Sequence, residues 1–152
     1  MKETMAKTDL QVGIKRFDKN LPLPKYQTAG AAAFDLSARE ETTIPAGTVG
    51  YVPLNIAIQL PEGYWAHVSA RSSLHKRGLL LANGIGVGDW DYRGDGDEYK
   101  AAVLNFSNKP VVVERGERVA QMMVLPVQQV TFVEKDHFDT DDRGGFGSTG
   151  RS

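Results

Sequence analysis

Thr48-Val49-Gly50-Tyr51-Val52-Pro53-Leu54-Asn55-Ile56-Ala57-Ile58-Gln59-Leu60 is the stretch that decides the class of fold. Within it Val52, Leu54, Ile56, Ile58 and Leu60 recur at every second position. Period two places them on one face of an extended chain, the pattern of a half-buried strand. Working outward, residues 43–44, 64–69, 101–106, 111–113, 119–125 and 130–133 are further short runs rich in β-branched or aromatic residues. Turn signals punctuate them: Pro61-Glu62-Gly63, Asn83-Gly84, Arg93-Gly94-Asp95-Gly96 and Arg115-Gly116. Many short strands with such spacing predict an all-β sandwich or barrel. One helical turn or two is predicted in Ser72-Ser73-Leu74-His75-Lys76-Arg77-Gly78, with Ser72 as N-cap and Gly78 as the stop.

The 152 residues fit one compact domain. From Asp136 onward the chain is polar and Gly-rich, which predicts a β-body over 1–135 and a flexible C-terminal arm over 136–152. A net charge of −1 supplies no overall basic field for nucleic acid, so an anionic ligand needs a local site. The absence of cysteine excludes disulfides, thiolate nucleophiles and Cys-based zinc sites. No apolar run approaches the roughly 20 residues of a membrane helix. The first ten residues mix Lys, Glu, Thr and Asp without a signal-like apolar core, so a cytoplasmic protein is expected.

Five segments carry candidate chemistry. Arg143-Gly144-Gly145-Phe146-Gly147-Ser148-Thr149-Gly150 offers unhindered backbone N–H groups, an Arg and one aromatic, a strip able to wrap a polyphosphate. Ser69-Ala70-Arg71-Ser72-Ser73-Leu74 places Arg and Ser where the short helix begins, a phosphate site or plain capping. Asn83-Gly84-Ile85-Gly86-Val87-Gly88-Asp89-Trp90-Asp91-Tyr92-Arg93-Gly94 is a Gly-rich hairpin with two acids, either a close ligand platform or a solvated turn. Ala31-Ala32-Ala33-Phe34-Asp35-Leu36-Ser37-Ala38 sets an acid among small apolar residues, a carboxylate that needs a partner or is simply a turn Asp. Gly116-Glu117-Arg118-Val119-Ala120-Gln121-Met122 is a strand after a turn, with Gln121 a possible donor.

In order and separation these segments resemble the five motifs of the trimeric dUTP diphosphatase (dUTPase) family, from about Leu21 to Gly150. Pro24-Lys25-Tyr26 with residues 30–38 looks like the first motif, and Arg71-Ser72-Ser73-Leu74 like the second. Residues 86–94, preceded by Asn83, look like the third, 116–121 like the fourth and 144–150 like the fifth. The resemblance implies a jelly-roll or β-barrel-like subunit, a homotrimer with shared active sites, and hydrolysis of dUTP to dUMP and pyrophosphate with Mg²⁺. It assigns Asp89 to the water that attacks the α-phosphorus, and Tyr92 to the space beneath the deoxyribose. It assigns Asn83 and the backbone of Gly86, Val87 and Gly88 to the uracil edge. Arg71, Ser72, Ser73, Gln121 and Arg143 are implied at phosphates, with Gly147, Ser148 and Thr149 of the arm. Phe146 is implied on the base, and Asp35 on Mg²⁺ through water.

Four departures from the pattern stand out. Ser73 replaces the usual Gly of the second motif, and Gly88 replaces the usual Ile before the acid, which predicts a looser hairpin. About three extra residues lie within 95–100, with added acids Asp95, Asp97 and Glu98 near a metal-dependent site. Arg143 stands two residues nearer to Phe146 than usual, which puts its reach to the γ-phosphate in question. The related dCTP deaminase family carries a proton-shuttling Glu where this chain has Asn105 in Val103-Leu104-Asn105-Phe106, which argues against deamination. A non-catalytic, regulatory nucleotide binder on the same fold is the rival of another class. The presence of Asp89, Tyr92 and Phe146 argues against it.

Overall fold

The deciding stretch forms two strands. β4 (Val49–Pro53) and β5 (Ile56–Gln59) are separated at Leu54-Asn55, where Asn55 turns the chain with φ 73°. Asn is among the few residues with a side chain that tolerate this left-handed region. Its side chain secures the corner: Oδ1 accepts from Asp18 N at 2.6 Å and Nδ2 donates to Asp18 O at 3.0 Å. The corner also holds another segment, because Leu54 N donates to Tyr99 O and Tyr99 N donates to Ile56 O.

This computed structural model describes residues 10–147. Among them the regular elements are eleven strands and one 3-10 turn, an all-β fold. β2 (Phe34–Ser37), β11 (Arg118–Pro126), β6 (Tyr64–Ala70) and β8 (Gly86–Gly88) form a four-stranded sheet in that order. β4, β9 (Lys100–Asn105) and β7 (Leu79–Leu81) form a three-stranded one. Two ribbons complete the body: β1 (Gly13–Arg16) with β5, and β10 (Val111–Val113) with β3 (Thr42–Ile44). Every pairing is antiparallel.

Alternation drives this assembly. Along β9, Ala101, Val103 and Asn105 are buried while Lys100 is exposed and Ala102 and Leu104 are half-covered. Leu36, Ile44, Val52, Leu54, Ile56, Leu60, Val103, Val113 and Met122 meet in one core drawn from nearly every strand. Each such side chain contributes on the order of 1.5–3 kcal/mol by leaving water. In β11 the alternation slips: the register with β2 shifts between Arg118 and Ala120, a bulge. Val119 and Ala120 are consequently both buried.

Three local expectations are corrected. Residues 130–133 are not a strand; Val130, Phe132 and Val133 are exposed, and no strand among the described residues pairs with them. The expected single helical turn is present as a 3-10 turn, η1 (Leu74–Arg77), but its N-cap is Ser73 without a side-chain bond, so Ser72 does not cap it. Gly78 does end it, with φ 75°. β1, β2 and β7 appear where no strand was expected, because each is three or four residues long and shows little alternation.

Candidate functional site

Asp35 and Gln121 face each other across the β2–β11 register. Asp35 Oδ2 lies 3.0 Å from Arg118 Nη1 and 3.3 Å from Arg71 Nε. Arg71 follows directly on β6, and its backbone N donates to Val119 O. Gln121 Nε2 donates to Ala70 O at 3.0 Å, beside Arg71. The bulge explains the arrival of Arg118. Residues three apart on a regular strand point to opposite faces, so Arg118 and Gln121 would part. One extra residue restores the phase and puts Arg118 on the Asp35 face. Two guanidinium groups on one carboxylate leave positive charge in excess, and their forked donors match phosphate oxygens. Ser72 and Ser73 are exposed next to Arg71.

A second cluster surrounds β8. Gly86, Val87 and Gly88 pair with Val68, His67 and Ala66 in the middle of β6. The turn before it uses Gly84 at φ 72°, with Gly84 N donating to Leu81 O. Beside this hairpin is a cleft of about 410 Å³ lined by Asn83, Gly86, Val87, Gly88, Asp89 and Tyr92, and also by Tyr51, Glu98 and Tyr99. That volume falls within the roughly 300–1,000 Å³ of small-molecule sites. Asp89 is exposed at the end of β8, and Tyr92 N donates to its carbonyl at 3.2 Å. The Tyr92 hydroxyl donates to Glu98 O at 2.8 Å. Burial, followed by the nearby Asp97 and Glu98 carboxylates, pushes the Tyr92 phenol above its ordinary range.

The glycine before Asp89 does not loosen the hairpin. A Cβ at Gly88 would lie 2.2 Å from Tyr99 Oη and 2.9 Å from the Ala66 methyl. Tyr99 already fills the space that a position-88 side chain would take. The lengthened loop after Gly94 likewise has its own partners. Asp97 Oδ2 accepts from Gly94 N, and the Asp95 carbonyl accepts from Lys15 Nζ. Glu98, 6% exposed, takes Arg39 in a forked pair at 2.7 and 3.0 Å and also Asn55 N at 3.0 Å. The Asp97 and Glu98 carboxylates thus serve the body, while Asp95 contributes its backbone carbonyl; no cluster of three metal-ligating side chains occurs among the described residues.

Among the described residues, those of the arm join neither cluster within this chain. Arg143, Phe146 and Gly147 are exposed, and Gly144, Phe146 and Gly147 all have positive φ. Ser148 and Thr149 lie outside the described residues. Asn105 is fully buried and engaged: it donates to Ile44 O and Lys109 O and accepts from Ser107 N and Oγ. With both ends of its amide occupied it organises a turn and shuttles no proton. Sequence reading left Arg118, Arg39 and Tyr99 without roles. Arg118 stood in the fourth motif, and the bulge that aims it has no signature of its own.

An all-β body thus carries an arginine pair on one carboxylate at a strand end and a glycine hairpin edged by an acid and a tyrosine. The dUTPase family model matches residues 19–150, so the chain belongs to the dUTPase family. A deoxyuridine 5'-triphosphate nucleotidohydrolase of Desulfitobacterium hafniense is 46% identical over 97% of this chain and 100% of the relative. One of Dictyoglomus turgidum is 43% identical over 93% and 99%. Among solved structures, the dUTPase of Streptococcus mutans superposes with a TM-score of 0.72 at 33% identity, covering 79% of this chain and 99% of that one. The dUTPase of Staphylococcus bacteriophage 80alpha, solved with dUpNHpp, shares the fold at a TM-score of 0.80 and 19% identity. The family is generally magnesium-dependent.

Proposed function

We propose that Asp89 activates the water with which this chain hydrolyses dUTP to dUMP and pyrophosphate. The overall reaction follows from the family and from 46% identity along nearly the whole chain. The observation that carries the assignment is that Asp89 and Tyr92 line one cleft with the Gly86–Gly88 hairpin. The hairpin backbone and Asn83 read the uracil edge, and the Tyr92 ring underlies the deoxyribose and excludes a 2′-hydroxyl. The Asp89 carboxylate orients a water, takes its proton, and the water oxygen bonds to the α-phosphorus as the bond to the pyrophosphate oxygen breaks. Arg71, Arg118, Ser72, Ser73 and Gln121 hold phosphate oxygens.

Mg²⁺ fits this donor set as an ion held on the triphosphate. Asp35 offers a single carboxylate already shared by two arginines, which suits contact through a metal-bound water and not an all-protein cage. When bound, the ion would neutralise charge on the phosphates. A homotrimer, in which the Asp35 cluster of one chain and the hairpin cleft of another face one substrate, accounts for two clusters that share no bond within a chain. Arg143, Phe146, Gly147, Ser148 and Thr149 then close the site as an arm over 136–152. A cytoplasmic location suits an enzyme of nucleotide pools; among the described residues no helix is long and apolar enough to cross a membrane.

Pyrophosphate release with Mg²⁺ from dUTP, dCTP, dTTP and UTP tests the reading, together with Asp89→Asn. Release from dUTP alone is expected, with turnover in Asp89→Asn lower by about 10²–10⁴ and binding retained. Undiminished turnover in Asp89→Asn would remove Asp89 from this role.

A further inference from the structure

Tyr99 lines the hairpin cleft yet belongs to none of the segments that point to nucleotide chemistry. It is 6% exposed, and its hydroxyl is buried without a hydrogen-bond partner. An orphaned buried hydroxyl is costly, so its retention calls for a reason. Its position supplies one. Oη occupies the notch at Gly88, 2.2 Å from where a Cβ would stand, and Cε1 is 2.9 Å from that point. On its other side the ring meets Tyr92 edge-on, with centroids 5.4 Å apart at 83°. Tyr99 therefore stands between the residue that precedes Asp89 and the ring of Tyr92.

The wedge is rigidly mounted. The Tyr99 backbone bonds to Leu54 and Ile56 on either side of the Asn55 corner, at 2.8 and 2.9 Å. The preceding Glu98 is held by Arg39 and Asn55, and its carbonyl takes the Tyr92 hydroxyl. One dipeptide thus fixes Tyr92 through a hydrogen bond and a ring contact, and fixes β8 through the phenol. A supporting shell held this way sets the separation of the groups it supports.

We propose that Tyr99 is a positioning residue for dUTP hydrolysis, a phenol wedge that sets the spacing between the Asp89 end of the hairpin and the sugar-side ring of Tyr92. The inference rests on the roles proposed above for Asp89 and Tyr92. It does not require the Tyr99 hydroxyl to touch substrate.

The test is a double-mutant cycle of Gly88→Ala and Tyr99→Leu, with Tyr99→Phe and Asp89→Asn measured alongside. Steady-state kcat and KM for dUTP and UTP are read well below each melting temperature. Tyr99→Leu is expected to lose about tenfold to a hundredfold in kcat/KM for dUTP, the scale of a misplaced reacting group, with discrimination against UTP also reduced. Gly88→Ala alone is expected to lose as much; because a Cβ there also meets the Ala66 methyl at 2.9 Å, the double variant is expected to lose clearly less than the two single losses combined, without returning to the parent. Tyr99→Phe keeps the ring and folds; it is expected to melt no lower than the parent while losing about threefold to tenfold in kcat/KM. A purely structural residue would lose stability and keep its kinetics. Native kinetics in Tyr99→Phe and Tyr99→Leu, or fully additive losses in the double variant, would overturn the wedge. If those variants behave natively while Asp89→Asn is inactive, the wedge alone fails. If Asp89→Asn turns over normally, the site assignment fails and the wedge with it.

Discussion

Arg118 Nη1 meets Asp35 Oδ2 at 3.0 Å across a strand pair whose register slips beneath it. Asp35 sits on β2 opposite Gln121, and without the bulge at Val119 the guanidinium would emerge on the other face. The same carboxylate also takes Arg71, so a strand irregularity assembles a cationic pair at one end of the sheet.

The role of that pair can be read from kinetics. Arg118→Ala removes one forked donor from the proposed phosphate cluster and is expected to raise KM for dUTP about tenfold, the worth of a charge-assisted hydrogen bond. The side chain is 44% exposed and Asp35 keeps Arg71 as a partner, so the melting temperature should stay within a few degrees. Steady-state pyrophosphate release and a thermal melt check both. An unchanged KM would take Arg118 out of substrate binding.

Tyr92 is expected to control the sugar. Tyr92→Ala removes the ring proposed to underlie the deoxyribose and should lower the preference for dUTP over UTP by at least about tenfold, since such a shape contact is worth roughly 1–3 kcal/mol. Tyr92→Phe keeps the ring and loses only the bond to Glu98 O, about 1 kcal/mol. It should keep most of the selectivity. Competition between the two nucleotides measures the ratio, and an unaltered preference in Tyr92→Ala would move the gate elsewhere.

Alkaline stability should report Tyr99. Burial, followed by the neighbouring Tyr92 and Asp89, pushes its phenol up to about 12 from the ordinary value of 10.0. The folded state therefore keeps a proton that the unfolded state releases. Its contribution is fully present below pH 10 and is lost as pH rises from there through about 12. Denaturant unfolding across that window should show a falling stability that is shallower in Tyr99→Phe. Identical slopes in parent and variant would rule out Tyr99 as the source.

The Asn55 corner should be the most sensitive backbone position. Asn55→Ala forces a methyl side chain into the left-handed region, about 1–2 kcal/mol. It also removes two hydrogen bonds to Asp18, about 1 kcal/mol each. A loss of roughly 3 kcal/mol is expected, and about half that for Asn55→Gly, by urea unfolding. Equal losses in the two variants would mean that backbone conformation contributes little.

Much of this was legible in the residues, and what was not has physical causes. Period-two runs located β4, β5, β6, β9 and β11 closely, because half-buried strands must alternate. They said nothing of the break at Asn55, since Leu54 and Ile56 continue the same alternation through it. Residues 130–133 look like a strand and are not one, because β-propensity only describes a surface that fits a neighbour, and none among the described residues pairs with them. The motif order pointed to Asp35, Arg71, Gln121, Asp89 and Tyr92, and the structure groups these in two clusters. Gly88 was read as slack because its filler, Tyr99, lies eleven residues further along in a loop without helical or strand signature.

That filling has a consequence for descent. As long as position 99 carries a tyrosine, position 88 is closed to any side chain, since even a methyl would collide with the phenol. A lineage moving from glycine to a larger residue before the acid must therefore change 99 first, and ease the Ala66 contact, or pass through an intermediate burdened by a clash. That order, shrinking 99 while 88 is still glycine, leaves a gap but no collision. Substitutions at these two sites should be inherited in a preferred order, and ancestral sequences that carry a small residue at both positions are the expected stepping stones.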